Sequence, residues 1–148
     1  MDKKGYSVKW YAIVPAMFAV VAVAVPWLMA RAPGIGLALQ RGFALVCHQQ
    51  PERSFVFFGG TVVVCARCLG TYFGAAVGLL WRVSRRVGWR CLLAAVIVSL
   101  LDGLAEAAGL HGNWMLARFA LGWALGAAAA MLVAAHADVD AGAQATGA

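Results

Sequence analysis

Residues 10–30 read WYAIVPAMFAVVAVAVPWLMA and contain no charged side chain. A helix of about 20 apolar residues crosses the roughly 30 Å hydrocarbon core of a bilayer, and neighbouring helices can accommodate Pro15 and Pro26 within it. The stretch therefore predicts a first transmembrane helix. A secretory signal peptide is the alternative, because lysines precede the run and small residues follow it, although the apolar part is long for one.

The composition of the whole chain agrees with a membrane protein. Of the 148 residues, 64% are hydrophobic and 12% are charged, whereas an average soluble domain contains about 25% charged residues. So few charges cannot cover the surface of a soluble fold, while lipid-facing helices need no such cover. A disordered protein and a nucleic-acid-binding protein are thereby excluded. We expect an all-α, polytopic membrane protein with a single domain.

Four apolar segments predict about four transmembrane helices. They cover approximately residues 10–30, 65–81, 91–110 and 114–135. Lysines precede the first segment and arginines fill the gap between the second and the third, which places both regions on the cytoplasmic side. We therefore expect a multi-pass protein of the cell inner or plasma membrane with both termini in the cytoplasm. Residues 137–148 lack an apolar pattern and predict a disordered cytoplasmic tail.

The loop of residues 31–64 is expected on the periplasmic or extracellular side and has structure of its own. Leu39, Phe43 and Val46 recur at helical spacing, which predicts a helix along the membrane surface. Aromatic and β-branched residues flank Gly59 and Gly60, which predicts a β-hairpin that leads into the second transmembrane helix.

Small residues recur every four positions on two of the predicted helices. They are Gly70, Gly74 and Gly78 on the second helix and Gly122 and Gly126 on the fourth. Such spacing lets two helix backbones approach closely in a membrane. These faces are interpreted as packing surfaces, within the chain or with a second copy or another membrane protein.

Thiols and an imidazole are expected on the outer side. Cys47 and His48 lie in the loop, and Cys65 and Cys68 form a C-x-x-C pair at the start of the second helix. Such a pair can bind one tetrahedral ion, and a ligand from another segment can complete the shell. We predict a site for zinc or another thiophilic metal; two packed thiols, a structural disulfide or a redox-active pair are the alternatives. Cys91 is expected at the inner end.

Charged residues are predicted at the same depth as these cysteines. Asp102 and Glu106 lie one turn apart near the end of the third helix, and Arg118 lies one turn into the fourth. Charges are costly at such positions and often functional. We predict a pocket with Asp102, Glu106 and Arg118 as catalytic candidates, and Arg53, Arg67 and Arg118 as candidates for substrate binding. A structural ion pair between helices is the alternative.

Several motifs together resemble a family of small prokaryotic membrane proteins, the domain-of-unknown-function family 2085. Residues 47–55, CHQQPERSF, are similar to its C-H-Q-x-P-x-R-S-F element, and residues 65–72, CARCLGTY, to its C-A-R-C-x-G-x-Y element. Asp102-Gly103 resembles a D-G pair, and Arg118 opens an R-x-x-x-G-x-x-x-G pattern. Glu106 stands where the family has glutamine, and Leu121 where it has threonine. The resemblance implies a compact polytopic membrane protein whose motif residues form a site without an assigned reaction.

Three functions are consistent with these patterns. The first is a metal site, with His48 or a carboxylate of Asp102 or Glu106, or His111, as a fourth ligand, which with an open position would act on a lipid-borne substrate. The second is thiol–disulfide exchange by Cys65 and Cys68. The third is a non-catalytic assembly or accessory subunit.

Overall fold

The computed structural model describes residues 11–110, 112 and 114–146, with side chains placed as far as Ala137. Its helices are α1 (Ile13–Arg31), α2 (Pro33–Ala44), α3 (Ala66–Gly78), α4 (Arg85–Ala107) and α5 (Met115–Thr146). A 3-10 turn at Pro51–Arg53 and two short strands, β1 (Val56–Phe57) and β2 (Gly60–Thr61), lie between α2 and α3. The all-α membrane architecture predicted from the sequence is confirmed.

Three helices of the described chain are long and apolar enough to cross a membrane. They are Ile13–Arg31, Arg85–Ala107 and Met115–Ala137. The second predicted transmembrane helix is shorter than expected, because α3 ends at Gly78 and a turn follows it. At 1.5 Å per residue α3 is about 20 Å long, which is less than the roughly 30 Å of the hydrocarbon core. The described chain thus has three long apolar helices, and the shorter α3 packs against α1 and α5.

The last two helices differ from the prediction at their ends. Helix α4 begins at Arg85, earlier than the predicted residue 91, with Ser84 as its N-cap. It ends in a Schellman motif, because Gly109 has a φ of +70° and its N–H bonds to the Glu106 carbonyl, while Leu110 bonds to the Ala105 carbonyl. Helix α5 continues to Thr146, so residues 137–146 lie in a helix where the sequence predicted a disordered tail. Their alanines have high helix propensity, which explains the extension.

The long connection between α1 and α3 is structured. Helix α2 runs back along α1, because Gly36 lies against Met29 and the Phe43 ring meets the Phe18 ring at 6.0 Å between centroids. It thus packs on α1, whereas the sequence predicted a helix lying along the membrane surface. The predicted hairpin is confirmed: β1 and β2 pair antiparallel through a two-residue turn, Phe58 and Gly59, both with positive φ.

Glycines allow α3 and α5 to pack backbone to backbone. A Cβ atom built on Gly70, Gly74 or Gly78 would collide with carbonyl oxygens of α5, and one built on Gly122 or Gly126 would collide with carbonyl oxygens of α3. The predicted packing faces therefore meet each other within one chain. This close contact fixes the position of the C-x-x-C segment, which opens α3, relative to the buried arginine of α5.

Helix α1 belongs to the folded core. Ala19, Ala22 and Val25 are fully buried. They pack in one cluster with Val64, just before α3, and with Leu69 in its first turn. The buried face of α1 thus packs against α3 and the segment that leads into it. The site described below lies at the edge of this cluster.

Candidate metal centre

Three cysteines from two separate segments come together beside the core. The Sγ atoms of Cys47, Cys65 and Cys68 all lie within 4.8 Å of one another. Cys47 is buried, with 6% of its surface exposed, while Cys65 and Cys68 are partly exposed. All four cysteines of the chain are free thiols. The three sulfurs are therefore close enough to bind one ion.

Backbone hydrogen bonds hold Cys47 in place. Its own N–H bonds to the Phe43 carbonyl at 3.0 Å, which extends the last turn of α2, and its Sγ accepts a hydrogen bond from the Cys65 N–H at 3.2 Å. This second bond joins the two segments that supply the sulfurs.

The chain between the cysteines is fixed by two polar side chains. Gln49 has a φ of +50°, a conformation that non-glycine residues rarely adopt, and its Nε2 donates to the Gln40 carbonyl at 2.6 Å. Ser54 is almost completely buried, and its Oγ donates to the Gln50 carbonyl at 3.0 Å across the 3-10 turn. These contacts reverse the chain after Cys47 and return it towards α3.

Cys65 is expected to be ionised at neutral pH. A hydrogen bond from the Cys68 side chain is the main cause that lowers the pKa of Cys65 to about 5, with smaller contributions from the Cys68 backbone and from Cys47, against an opposing effect of burial. The thiolate is the form that binds metal ions and attacks disulfides. Cys65 lies outside the three long spans, at the N-terminal end of α3.

The lowered pKa predicts an unusual pH dependence of alkylation. In metal-free folded protein, iodoacetamide should modify Cys65 at a nearly constant rate from pH about 7 to about 8.5, because the thiolate forms above pH 5 and is lost only below it. In the detergent-unfolded chain Cys65 should have its ordinary pKa of about 8.5, so its alkylation rate should rise about tenfold for each pH unit below that value. Mass spectrometry of the modified peptide measures both rates. A tenfold rise per unit in the folded protein would contradict the assignment.

Charged residues form a network next to the cysteines. Arg67, which lies between Cys65 and Cys68, donates from Nη2 to the Asp102 carboxylate at 2.5 Å. Glu106 pairs with two arginines: Arg53 of the loop, at 3.0 Å between Nη2 and Oε1, and the buried Arg118 of α5. These five residues are called the charge network below. It connects the loop, α3, α4 and α5.

Residues predicted for the site thus separate into two groups. Cys47, Cys65 and Cys68 are brought together, and the five charged candidates meet beside them. His48 is exposed, and its ring is not among the clustered ligand atoms. Consecutive side chains point in different directions, and here the Cys47 side chain points into the core. Within the described residues no carboxylate joins the three sulfurs. His111 lies outside the described residues, and Cys91 is exposed on α4.

Tyr72 lies at the site, although the sequence did not mark it as a candidate ligand or catalytic residue. It lies one helical turn after Cys68, interacts electrostatically with all three clustered cysteines, and its ring meets the Phe18 ring of α1 at 5.6 Å between centroids. The i, i+4 spacing from Cys68 was the signal available in the sequence.

Comparison with known proteins gives the family of the chain. Residues 47–132, more than half of the chain, match the family described as "Predicted membrane protein (DUF2085)". The chain belongs to this family. The resemblance recognised from the sequence motifs is confirmed, and the part that matches DUF2085 includes the three clustered cysteines and the whole charge network. It begins at Cys47, so α1 and α2 lie outside it.

Two archaeal proteins are similar to part of the chain. An uncharacterised protein of Methanocaldococcus jannaschii is 33% identical over 102 residues, which cover 62% of this chain and 64% of the relative. An uncharacterised protein of Methanothermobacter thermautotrophicus is 34% identical over 95 residues, which cover 61% of this chain and 86% of the relative. The chain thus spans less than two thirds of the first relative. No solved structure matches the chain.

Proposed function

We propose that this membrane protein binds a zinc-type divalent ion through Cys47, Cys65 and Cys68 on the outer side of the membrane. The observation that supports the proposal is the distance between the sulfurs, which all lie within 4.8 Å of one another although they come from segments on either side of a hairpin. With Zn–S bonds of about 2.3 Å, two sulfurs on one tetrahedral ion are about 3.8 Å apart. Small side-chain rotations reach that spacing.

The surroundings of the sulfurs favour binding of a metal cation. The hydrogen bond between Cys65 and Cys68 lowers the pKa of Cys65 to about 5, whereas the same bond and burial raise the pKa of Cys68, so one of the two thiols loses its proton readily. The Cys65 N–H donates to Cys47 Sγ and so orients that sulfur towards the pair. Three thiolates and a divalent ion together have one negative charge, and in the charge network three guanidinium groups face two carboxylates. The net charge of the thiolates with the ion is thus negative and that of the charge network is positive. Their attraction is strong where water is scarce.

The fourth position of the ion is where a reaction would occur. Three protein ligands with one position open is the arrangement of catalytic zinc sites, and a fourth protein ligand would make the site structural. Arg53 and Arg67 are partly exposed, with 40% and 33% of their side chains accessible. In the catalytic version of the proposal they hold an anionic group of a lipid-borne substrate. Asp102 and Glu106 then orient these arginines.

Metal content tests the proposal directly. Full-length protein purified in detergent without added metal is expected to contain about one zinc-type ion per chain by elemental mass spectrometry. Changing Cys47, Cys65 or Cys68 to serine should each lower the content to less than about a tenth of an ion, because loss of a ligand removes most of the binding free energy. The matched control is Cys91→Ser, whose thiol is exposed on another helix and should leave the content unchanged.

The same sample distinguishes metal binding from thiol–disulfide exchange. The low pKa of Cys65 and its position next to Cys68 also suit a redox-active pair. Metal retained by all three single variants would contradict the metal site. Metal-free protein in which Cys65 and Cys68 form a disulfide that dithiothreitol reduces would support exchange instead.

A further inference from the structure

An apolar groove runs along the contact between α1 and α2 and has no role in the proposed metal site. Its volume is about 450 Å³. The lining residues come from one face of each helix: Val14, Met17, Phe18 and Val21 of α1, and Ala38, Leu39, Gly42, Phe43 and Val46 on and just after α2. None has a polar side chain. Glycine and alanine at positions 42 and 38 leave the space that a larger side chain would fill.

The position of the groove indicates which material can occupy it. Helix α1 is one of the three long apolar spans, and its groove residues Val14, Met17 and Phe18 are 55%, 58% and 45% exposed. In a bilayer these surfaces face lipid, and water would gain no hydrogen bond from the walls. Hydrocarbon is therefore the material that matches the groove.

One end of the groove lies against the cysteine cluster. Val46 lines the groove and directly precedes Cys47, while Phe43, another lining residue, accepts the Cys47 N–H through its carbonyl. On the opposite wall Phe18 meets the ring of Tyr72, which lies one helical turn after Cys68 on α3. A hydrocarbon chain in the groove thus has one end next to the clustered sulfurs, in the region of Arg67, which lies between Cys65 and Cys68.

We infer that the groove between α1 and α2 binds one hydrocarbon chain of a membrane lipid, with the polar end of that lipid at the cysteine cluster. The position of the polar end rests on the proposed metal site, whereas the binding of the chain does not. The inference assigns to the catalytic version of the proposal a substrate class, a lipid with a long acyl or prenyl chain. It also gives α1 and α2 a role in binding, although both lie outside the part of the chain that matches the family.

Photocrosslinking of the full-length protein tests this inference. The protein is reconstituted in phosphatidylcholine vesicles that contain a phosphatidylcholine with a diazirine in one acyl chain, and labelled peptides are quantified after irradiation. Label should concentrate on Met17 and Leu39 relative to Leu93 and Leu101, which are exposed on α4. An excess of unmodified phosphatidylcholine should compete with the groove label.

Two glycine variants of α2 make the test specific. A Cβ on Gly42 meets nothing within 4 Å and Gly42 lines the groove, so Gly42→Leu has room for its Cβ and occupies space in the groove. It should lower the groove label about fourfold, the equivalent of one buried CH2 group. Gly34→Leu is the matched control, since it lies on the same helix, also has open space and does not line the groove. Its label should equal that of the unmodified protein.

Several outcomes would overturn the inference. Equal label on α4 and on the groove, unchanged by Gly42→Leu, would mean ordinary contact with bulk lipid. Crosslinks from a photoreactive residue at position 39 to a second copy, or to another part of the same chain, would mean that protein fills the groove. Metal content of the same sample separates this test from the proposed function: lost label with metal retained refutes only the groove, and absent metal with specific label refutes only the metal site.

Discussion

Replacing Gly74 with leucine is expected to prevent the protein from folding. A Cβ atom at this position collides with the Trp123 carbonyl of α5 and lies 2.9 Å from the Ala127 nitrogen. Both contacts are backbone atoms of a helix, which cannot rotate away as a side chain does. Overpacking a core costs about 1 to 3 kcal/mol where side chains can adjust, and here we expect more than about 3 kcal/mol because the two helices must separate.

Size-exclusion chromatography and thermal unfolding in detergent measure this effect. Gly74→Leu should give aggregated protein or a large fall in Tm. Gly103→Leu is the matched control, since Gly103 lies on helix α4 and a Cβ there meets nothing within 4 Å. Gly88→Ala should be intermediate, because its nearest neighbour is the flexible end of the Leu132 side chain at 3.3 Å. Folded Gly74→Leu with an unchanged Tm would contradict the packing of α3 on α5.

Removing the carboxylate of Glu106 is expected to have the second largest effect. The Arg118 side chain is 7% exposed and pairs with Glu106. Glu106→Ala leaves this guanidinium without that carboxylate, and removing one partner of a buried pair destabilises a protein more than removing an exposed one. We therefore expect a clear fall in Tm, although the 22% exposure of the Glu106 side chain limits its size. Glu106→Gln should cost less, since its carbonyl oxygen still accepts a hydrogen bond.

A double variant tests whether the effect comes from the unpaired charge. Arg118→Met in the Glu106→Ala background removes the buried guanidinium, so it should recover part of the lost Tm. An unchanged Tm for Glu106→Ala relative to the unmodified protein would show that the charge network contributes nothing to stability.

The membrane class and most helices could be predicted from the sequence because they depend on local composition. Residues 13–31 are apolar enough to span a bilayer in any tertiary context, and Gly59 and Gly60 between aromatic and β-branched residues favour a hairpin through their turn geometry. Helix ends were less predictable. Helix α3 ends at Gly78 although apolar residues 79–81 follow it, and α5 continues to Thr146 although its hydropathy falls. Hydropathy by itself therefore does not set where a helix ends.

The composition of the site was predicted in part for the same reason. The C-x-x-C spacing and the i, i+4 pair Asp102 and Glu106 are local features, and each proved to belong to the described cluster or network. Which arginine pairs with which carboxylate was not predictable. Arg67 pairs with Asp102, while Glu106 pairs with Arg53 and Arg118, and these choices depend on how α3, α4 and the loop pack.

The sequence by itself determined that this is a helical membrane protein with thiols and charges near the ends of its helices. Only the tertiary structure decided that Cys47, and not the adjacent His48, joins Cys65 and Cys68. The two residues are equivalent as ligands in sequence, but the turn with a positive φ at Gln49 and the hydrogen bond from the Cys65 N–H hold the thiol inside. The imidazole is left facing outwards, because neighbouring side chains cannot both point to one buried centre.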